Sequence, residues 1–228
     1  MQYEVRGTVL QTVDLVLEDG EQVYTQSGGM AWMSPNLNMT SGMKGGLMGA
    51  LGRAMAGGSL FLVDYQATGG QGKITFASAF PGNILPIVLG EGQSMICQKD
   101  AFLVSEATVK LETFFQQKLG AGLFGGEGFF LQKITGPGTA FAQLSGEITE
   151  YPLAAGQGLK VDPGHVAMFE PTISFNVTMI KGIKNMLFGG EGLFLADLQG
   201  PGRVWLQSMP IVNLAHRLMP YLPNKSSS

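Results

Sequence analysis

Two glutamates flanked by glycines are the first candidates for catalysis in this chain. Glu127 lies in residues 123–131 (LFGGEGFFL), and Glu191 lies 64 residues later in residues 187–195 (LFGGEGLFL). Two carboxylates can perform acid–base catalysis when about 5–10 Å separates them. A glutamate between glycines also accepts hydrogen bonds from the N–H groups of a tight turn. Because a degenerate third copy of the phrase has Ser59 at this position, the turn interpretation is favoured and no catalytic pair is predicted.

A second candidate is a nucleotide-binding glycine loop. Residues 120–125 (GAGLFG) match the pattern G-x-G-x-x-G. The corresponding residues 184–189 (KNMLFG) lose two of the glycines, and no strand–helix–strand pattern surrounds either segment. A dinucleotide fingerprint needs both features. The sequence therefore predicts no nucleotide cofactor.

Metal ligands and nucleophiles are scarce. The only histidines are His165 and His216, and the only cysteine is Cys97. Three such residues are too few for a four-coordinate structural zinc site of histidine and cysteine ligands. No G-x-S-x-G elbow occurs, although a serine, histidine and acid set stays open, and Cys97 is expected to be a buried, inert thiol. We predict no catalytic residue, metal or cofactor, and no enzymatic activity.

The composition favours a compact protein made of short strands. The chain has 228 residues, 45% of them apolar, with 34 glycines and only 14% charged residues. Glycine destabilises helix interiors, so this many glycines predicts many tight turns. The net charge of −3 argues against a nucleic-acid partner. With one cysteine, no signal peptide and no apolar stretch of about 20 residues, we expect a cytoplasmic protein.

Three segments read as equivalent strands. They begin at Gly28, Asp100 and Gly164, and they place apolar residues at matching positions, namely Trp32, Val104 and Met168. Because strand residues alternate between two faces, we expect these three residues to point into module cores. Trp32 is accordingly predicted to be buried.

The turns that end each unit repeat in the same register. They are residues 70–72, 136–138 and 200–202, and each precedes a short strand. We predict an all-β fold of three repeated β-sandwich modules in a pseudo-threefold arrangement. They form a single domain over residues 1–228, with repeats 1–84, 85–150 and 151–228.

Helical sequence is limited to two segments. Residues 44–56 would form only a weak helix, because four glycines each cost about 1 kcal/mol relative to alanine. Residues 210–219 place apolar side chains at i, i+3, i+4 and i+7 after Pro210, a residue that suits a first turn. The sequence predicts a short C-terminal helix there.

A glycine-rich apolar loop occupies the corresponding place in each unit. One interpretation is that the apolar residues of these loops are buried at one end of each module's own core. The sharper hypothesis is an exposed apolar patch rimmed by lysine and arginine, which would contact another copy of the chain, another protein or an anionic membrane surface. The predicted interaction residues are Leu47, Met48, Leu51, Met55, Leu123, Phe124, Met186, Leu187 and Phe188.

These motifs together resemble a known family. The stretch after Met43, the segment Ser59 to Leu62, the two glycine–glutamate phrases and the ending Pro210 to Pro223 are similar to bacterial members of the altered-inheritance-of-mitochondria family. The resemblance covers nearly the whole chain and implies a fold like that of the tryptophan RNA-binding attenuation protein, built of double-stranded β-helix modules. It implies no established reaction, because fold does not transfer function.

The function predicted from these observations is that of a non-enzymatic scaffold or interaction protein that forms homo-oligomers. The alternative is a protein that binds a small molecule or a lipid surface, through a pocket between modules or through the apolar glycine-rich loops.

Overall fold

The computed structural model describes residues 1–26, 28–42, 62–117, 129–180 and 193–221. Within these ranges the chain forms nineteen β-strands, one α-helix and three short 3₁₀ helices. This architecture confirms the all-β prediction. The predicted loop residues from Leu47 to Met55, Leu123, Phe124 and Met186 to Phe188, like the weak helix 44–56, lie outside the described residues.

The strands fall into three groups of six that follow one N-terminal strand. Strand β1 is Gln2–Arg6. The first group is β2 (Thr12–Leu17), β3 (Gln22–Gln26), β4 (Met30–Met33), β5 (Leu37–Gly42), β6 (Leu62–Ala67) and β7 (Gly72–Ala77). The second is β8 (Gly82–Leu89), β9 (Ser94–Gln98), β10 (Phe102–Glu106), β11 (Lys110–Gln117), β12 (Phe129–Thr135) and β13 (Gly138–Ser145). The third is β14 (Ile148–Leu153), β15 (Gly158–Val161), β16 (Val166–Phe169), β17 (Ser174–Ile180), β18 (Leu193–Gln199) and β19 (Gly202–Gln207).

Pairing within each group follows one pattern. The sixth strand pairs with the first and the third, and the fifth strand pairs with the second and the fourth, always antiparallel. Each group therefore contributes two half-sheets of three strands. The arrangement of the groups about a threefold axis, and the likeness to the attenuation protein, stay predictions.

The half-sheets assemble into four sheets. Sheet 1 has the order β1-β2-β7-β4, and sheet 2 has the order β5-β6-β3-β10-β13-β8. Sheet 3 has the order β11-β12-β9-β16-β19-β14, and sheet 4 has the order β15-β18-β17. Sheets 2 and 3 each join half of one group to half of the next.

Three apolar cores lie between successive sheets. The first core, between sheets 1 and 2, contains Val13, Leu15 and Leu17, which alternate along β2. The second core, between sheets 2 and 3, contains Phe102 and the buried Cys97. The third core lies between sheets 3 and 4 and consists mostly of β-branched, leucine and phenylalanine side chains that suit packed strands.

The predicted C-terminal helix is present. Helix α1 spans Ile211–Leu218, follows Pro210 as its N-cap, and continues into the 3₁₀ helix Met219–Tyr221. The other two 3₁₀ helices, Lys99–Ala101 and Pro163–His165, connect strands.

The prediction that Trp32 is buried is wrong. Its side chain is 60% exposed, whereas Val104 and Met168 at the matching positions are 0% and 3% exposed. The physical reason has two parts. Strands β10 and β16 each pair with a strand of the preceding group, whereas β4 pairs only with β7 among the described strands. In addition, a β-bulge interrupts the pairing between Met30 and Trp32 and recurs in β10 and β16. A bulge adds one residue and so reverses the alternation of faces. Trp32 therefore points away from the core of its own group.

Candidate interaction surface

The half-sheets of successive groups meet at a joint, a name used here for the pairing of β3 with β10 and of β9 with β16. In the first joint Tyr24 lies opposite Ser105. In the second joint Ile96 lies opposite Phe169, and Cys97 lies opposite Met168. Each joint thus pairs the second strand of one group with the third strand of the next, antiparallel.

The bulge determines what each joint buries. Phe102, before the bulge, lies in the second core, whereas Val104, after the bulge, lies in the first core. Likewise Val166 lies in the third core and Met168 in the second. The residue after the bulge therefore packs into the core of the preceding group. Among the described residues no group of strands precedes the first, so Trp32 packs into no such core there.

A buried glutamine reinforces each boundary between groups. Gln143 Oε1 accepts a hydrogen bond from the Ala79 N–H at 2.9 Å, and its Nε2 donates to the Asp100 carbonyl at 3.0 Å. The hydrogen bond from Ala79 joins the second group of strands to the linker that follows the first group. Both Gln143 and its counterpart in the third group are buried.

Gln207 makes the corresponding contacts one group later. Its Oε1 accepts from the Ser145 N–H at 3.1 Å, and its Nε2 donates to Gly164 O at 3.0 Å and to Gln98 Oε1 at 3.1 Å. Sequence reasoning missed both glutamines. The signal was their spacing of 64 residues, the same as that of the glycine–glutamate phrases. In the first group the corresponding residue is Ala77, which has no side-chain amide.

Joints form between second and third strands of successive groups. One third strand and one second strand have no such partner among the described strands. Strand β4 is the last strand of sheet 1, and β15 is the last strand of sheet 4. On β4 both Ala31 and Trp32 are exposed, and on β15 Lys160 is exposed and Leu159 is half-buried. An unpaired strand presents a row of free N–H and C=O groups to another chain. These two strands therefore form the candidate interaction surface.

A polar cluster lies beside Trp32 on the outer face of sheet 1. Thr75, which pairs with Trp32, donates a hydrogen bond to Asp14 Oδ1 at 2.6 Å. Lys73 Nζ lies 2.9 Å and Arg6 Nε 3.4 Å from Asp14 Oδ2. Burial by itself raises the pKa of Asp14, but the hydrogen bonds from Thr75 and Lys73 and the two cations outweigh it, so that the pKa lies below its ordinary value. The cluster keeps this face polar around Trp32.

Two of the groups considered for catalysis, Cys97 and His165, lie within the described residues, and each has a place in the fold. Burial raises the pKa of the Cys97 thiol to about 12, so the thiol is not a nucleophile at neutral pH. His165 Nδ1 lies 2.8 Å from the Gln207 carbonyl, a contact within the fold. Among the described residues, no three histidine, cysteine or acidic side chains are grouped as metal ligands. Glu127 and Glu191 lie outside the described residues.

A cleft of about 550 Å³ lies beside the first joint. Gly28, Gly29 and Phe102 line it together with Ile211 from the start of α1. A smaller cavity of about 150 Å³ lies beside the glutamines Gln143 and Gln207. Both lie where the ends of the groups approach α1.

The comparisons with known proteins agree with this architecture. An uncharacterised protein of Streptococcus pyogenes serotype M6 is 30% identical over 231 residues, covering 97% of this chain and 91% of that protein. The crystal structure of a Streptococcus pyogenes protein is similar with a TM-score of 0.79 and 27% identity, covering 97% of this chain and 99% of that one. In the ranges that the structure describes, no helix has the length and hydropathy needed to cross a bilayer.

The family model described as mitochondrial biogenesis AIM24 matches residues 3–209. This range begins in β1, includes all three groups of strands and ends just before α1. The chain therefore belongs to the AIM24 family.

Proposed function

We propose that this protein is a non-enzymatic interaction protein that self-associates and so acts as a scaffold. The observation that carries the proposal is the 60% exposure of Trp32 on an edge strand, when Val104 and Met168 at the matching positions are buried at joints. A packed tryptophan buries roughly 150–250 Å² of surface. An uncharged edge strand that exposes such a side chain favours association with another strand.

The roles of the charged groups support a non-enzymatic protein. Asp14 binds Lys73 and Arg6 on the outer face of sheet 1, as described above. At the corresponding place in the third group, Arg203 Nη2 lies 2.6 Å from Glu170 and its guanidinium lies 5.1 Å from the Trp205 ring. The contacts of Asp14 connect β1, β2 and β7, and the contact of Arg203 connects β19 to the residue that follows β16. Each of these groups has a structural role that needs no substrate.

The test of self-association is light scattering coupled to gel filtration over a wide range of protein concentration. The wild-type protein is expected to increase in mass with concentration. Trp32→Glu is expected to weaken association about tenfold or more, because truncating an interface tryptophan typically has an effect of this size. A wild-type mass that stays monomeric at all concentrations would overturn the proposal.

A matched control is Leu218→Glu. Leu218 is also a large exposed apolar residue, but it lies on α1 rather than on an edge strand. The same change in charge at this position is expected to leave the dissociation constant unchanged. Equal weakening by both substitutions would mean that added charge, and not the β4 edge, controls association.

A second candidate function is binding of a small molecule in the cleft beside the first joint. Its volume of about 550 Å³ lies within the 300–1,000 Å³ that ligand sites typically have. Native mass spectrometry of the purified protein tests this candidate, because a retained ligand adds its mass to the chain. Binding of lipid surfaces through the glycine-rich loops stays a prediction, as does the cytoplasmic location.

A further inference from the structure

We propose that the free edge of β4 pairs with the free edge of β15 in a second copy of the chain, antiparallel and in the register of the two internal joints. This inference rests on the proposed self-association and identifies its two surfaces. The two edges belong to the same strand types that already pair twice within the chain, so the geometry of the contact is present in the fold.

The register follows from the ladders. Gly72, Gly138 and Gly202 pair with Leu17, Leu89 and Leu153, respectively. Counting seven residues onward from each leucine aligns Tyr24, Ile96 and Lys160. Two residues after each glycine, the ladder pairs that strand with Met33, Ser105 and Phe169, respectively, so these three residues also occupy matching positions. Because Tyr24 lies opposite Ser105 and Ile96 opposite Phe169, Lys160 is placed opposite Met33, and Val161 opposite Trp32.

Both free edges expose positions that the internal joints bury. Tyr24 and Ile96 are buried, whereas Lys160 at the matching place is exposed. Val23 and Met95 are buried, whereas the matching Leu159 is half-buried. The same contrast separates β4 from β10 and β16, which are buried along most of their length. One missing contact between the two edges accounts for all of these differences.

The contact also provides a core for Trp32. Val104 packs into the first core and Met168 into the second. In each joint, the residue after the bulge therefore packs into the core of the group to which the partner strand belongs. By the same rule, Trp32 enters the third core of the partner copy. Val161 lies in that core, and the half-buried Leu159 packs against it.

The assembly that results is head-to-tail. Strand β4 belongs to the first group and β15 to the last, so each copy offers one edge of each type. A contact between two different surfaces generates either a closed ring or an open filament. Each added copy continues the succession of groups that the chain already contains.

The intermolecular joint is weaker than the internal ones. Lys160 stands where the internal joints have Tyr24 and Ile96, and lysine on an edge strand limits indiscriminate pairing. Its aliphatic stem can lie along Met33 while the ammonium group stays in water. Ala77 also replaces the glutamine that spans each internal boundary. The contact is therefore expected to be reversible and concentration-dependent.

Substitution of Lys160 tests the proposed partner strand. Lys160→Ile introduces the residue that β9 carries at this position and is expected to lower the dissociation constant about tenfold. Lys160→Glu is expected to raise it or leave no measurable association. The control is Lys110→Ile, which makes the same change at an exposed position of β11. If the wild-type protein self-associates and both Lys160 variants have the same dissociation constant as the wild type, the proposed β15 contact is wrong. The proposed self-association would still hold.

Cysteine cross-linking tests the register. Met33→Cys protein is mixed with Lys160→Cys protein under mild oxidation, and a disulfide that joins two copies is expected, since paired Cα atoms lie within the range a disulfide spans. Met33→Cys mixed with Gly158→Cys, two residues out of register, is expected to cross-link much less. Cys97 is buried and does not compete. In a Met33→Cys, Lys160→Cys double variant at low concentration, a disulfide within one chain would overturn the proposal by showing that a single copy closes on itself.

Discussion

Gln143 holds the second group of strands to the linker after the first, through the 2.9 Å hydrogen bond from the Ala79 N–H to its Oε1. The same amide donates to the Asp100 carbonyl, so one buried side chain satisfies two backbone groups. A hydrogen bond of this kind contributes about 0.5–1.5 kcal/mol to stability. The boundary between groups therefore depends on a polar contact as well as on apolar packing.

Gln143→Met is expected to lower the free energy of unfolding by about 1–3 kcal/mol, because methionine matches the volume of glutamine but removes both hydrogen bonds, each of which contributes about 0.5–1.5 kcal/mol. Urea denaturation followed by tryptophan fluorescence measures this loss. Gln71→Met is the control, since Gln71 is exposed and its side-chain amide donates to the exposed Glu18. A loss below about 0.5 kcal/mol at Gln143 would show that the boundary does not depend on this amide.

Trp32→Ala is expected to change the free energy of unfolding by less than about 1 kcal/mol at a concentration where the protein is monomeric, because the side chain is already exposed. Phe141→Ala is the contrast. Phe141 is fully buried in the first core, so its loss is expected to cost about 3–5 kcal/mol. Chemical denaturation measures the free energy of unfolding of both variants. A loss at Trp32→Ala as large as that at Phe141→Ala would show that Trp32 is a core residue.

Asp14 is expected to make stability depend on acid. Its pKa in the folded protein lies below the unfolded value of about 4, so it contributes stability above that value and loses the contribution as the pH falls through the folded pKa. Asp14→Asn should therefore be less stable than the wild type at neutral pH. Its stability should also decline less between about pH 4 and the folded pKa of Asp14.

The measurement is a series of denaturation curves at different pH values. Glu91→Gln, at an exposed turn position, is the control for the loss of one negative charge. If Asp14→Asn keeps the pH profile of the wild type, the contacts with Lys73 and Arg6 do not stabilise the fold.

Cys97 is expected to react with a thiol reagent only after the protein unfolds. Its thiol is buried, and its pKa of about 12 leaves almost no thiolate at pH 8. The rate of labelling in native buffer should therefore follow the rate or the extent of unfolding as denaturant is added. Fast labelling of the native protein would show that the second core opens locally at β9.

The all-β fold and the C-terminal helix followed from the sequence for local reasons. Alternating residues such as Val13, Leu15 and Leu17 match the two-residue period of a strand, and Pro210 followed by helical spacing starts a helix. Both signals depend on neighbours within a few residues, so one chain suffices to read them. Membership of the AIM24 family also agrees with the resemblance carried by the glycine-rich motifs.

The tertiary structure alone decided what the strands face. The apolar residues Trp32, Val104 and Met168 look equivalent in sequence, but a bulge turns all three away from the cores of their own groups. Pairing between groups then buries Val104 and Met168 and leaves Trp32 exposed. Burial depends on which strand lies alongside, and that contact joins residues about 80 positions apart, as between Tyr24 and Ser105. Local alternation carries no information about such a partner, which is why the sequence predicted the strands while the fold determined the surface.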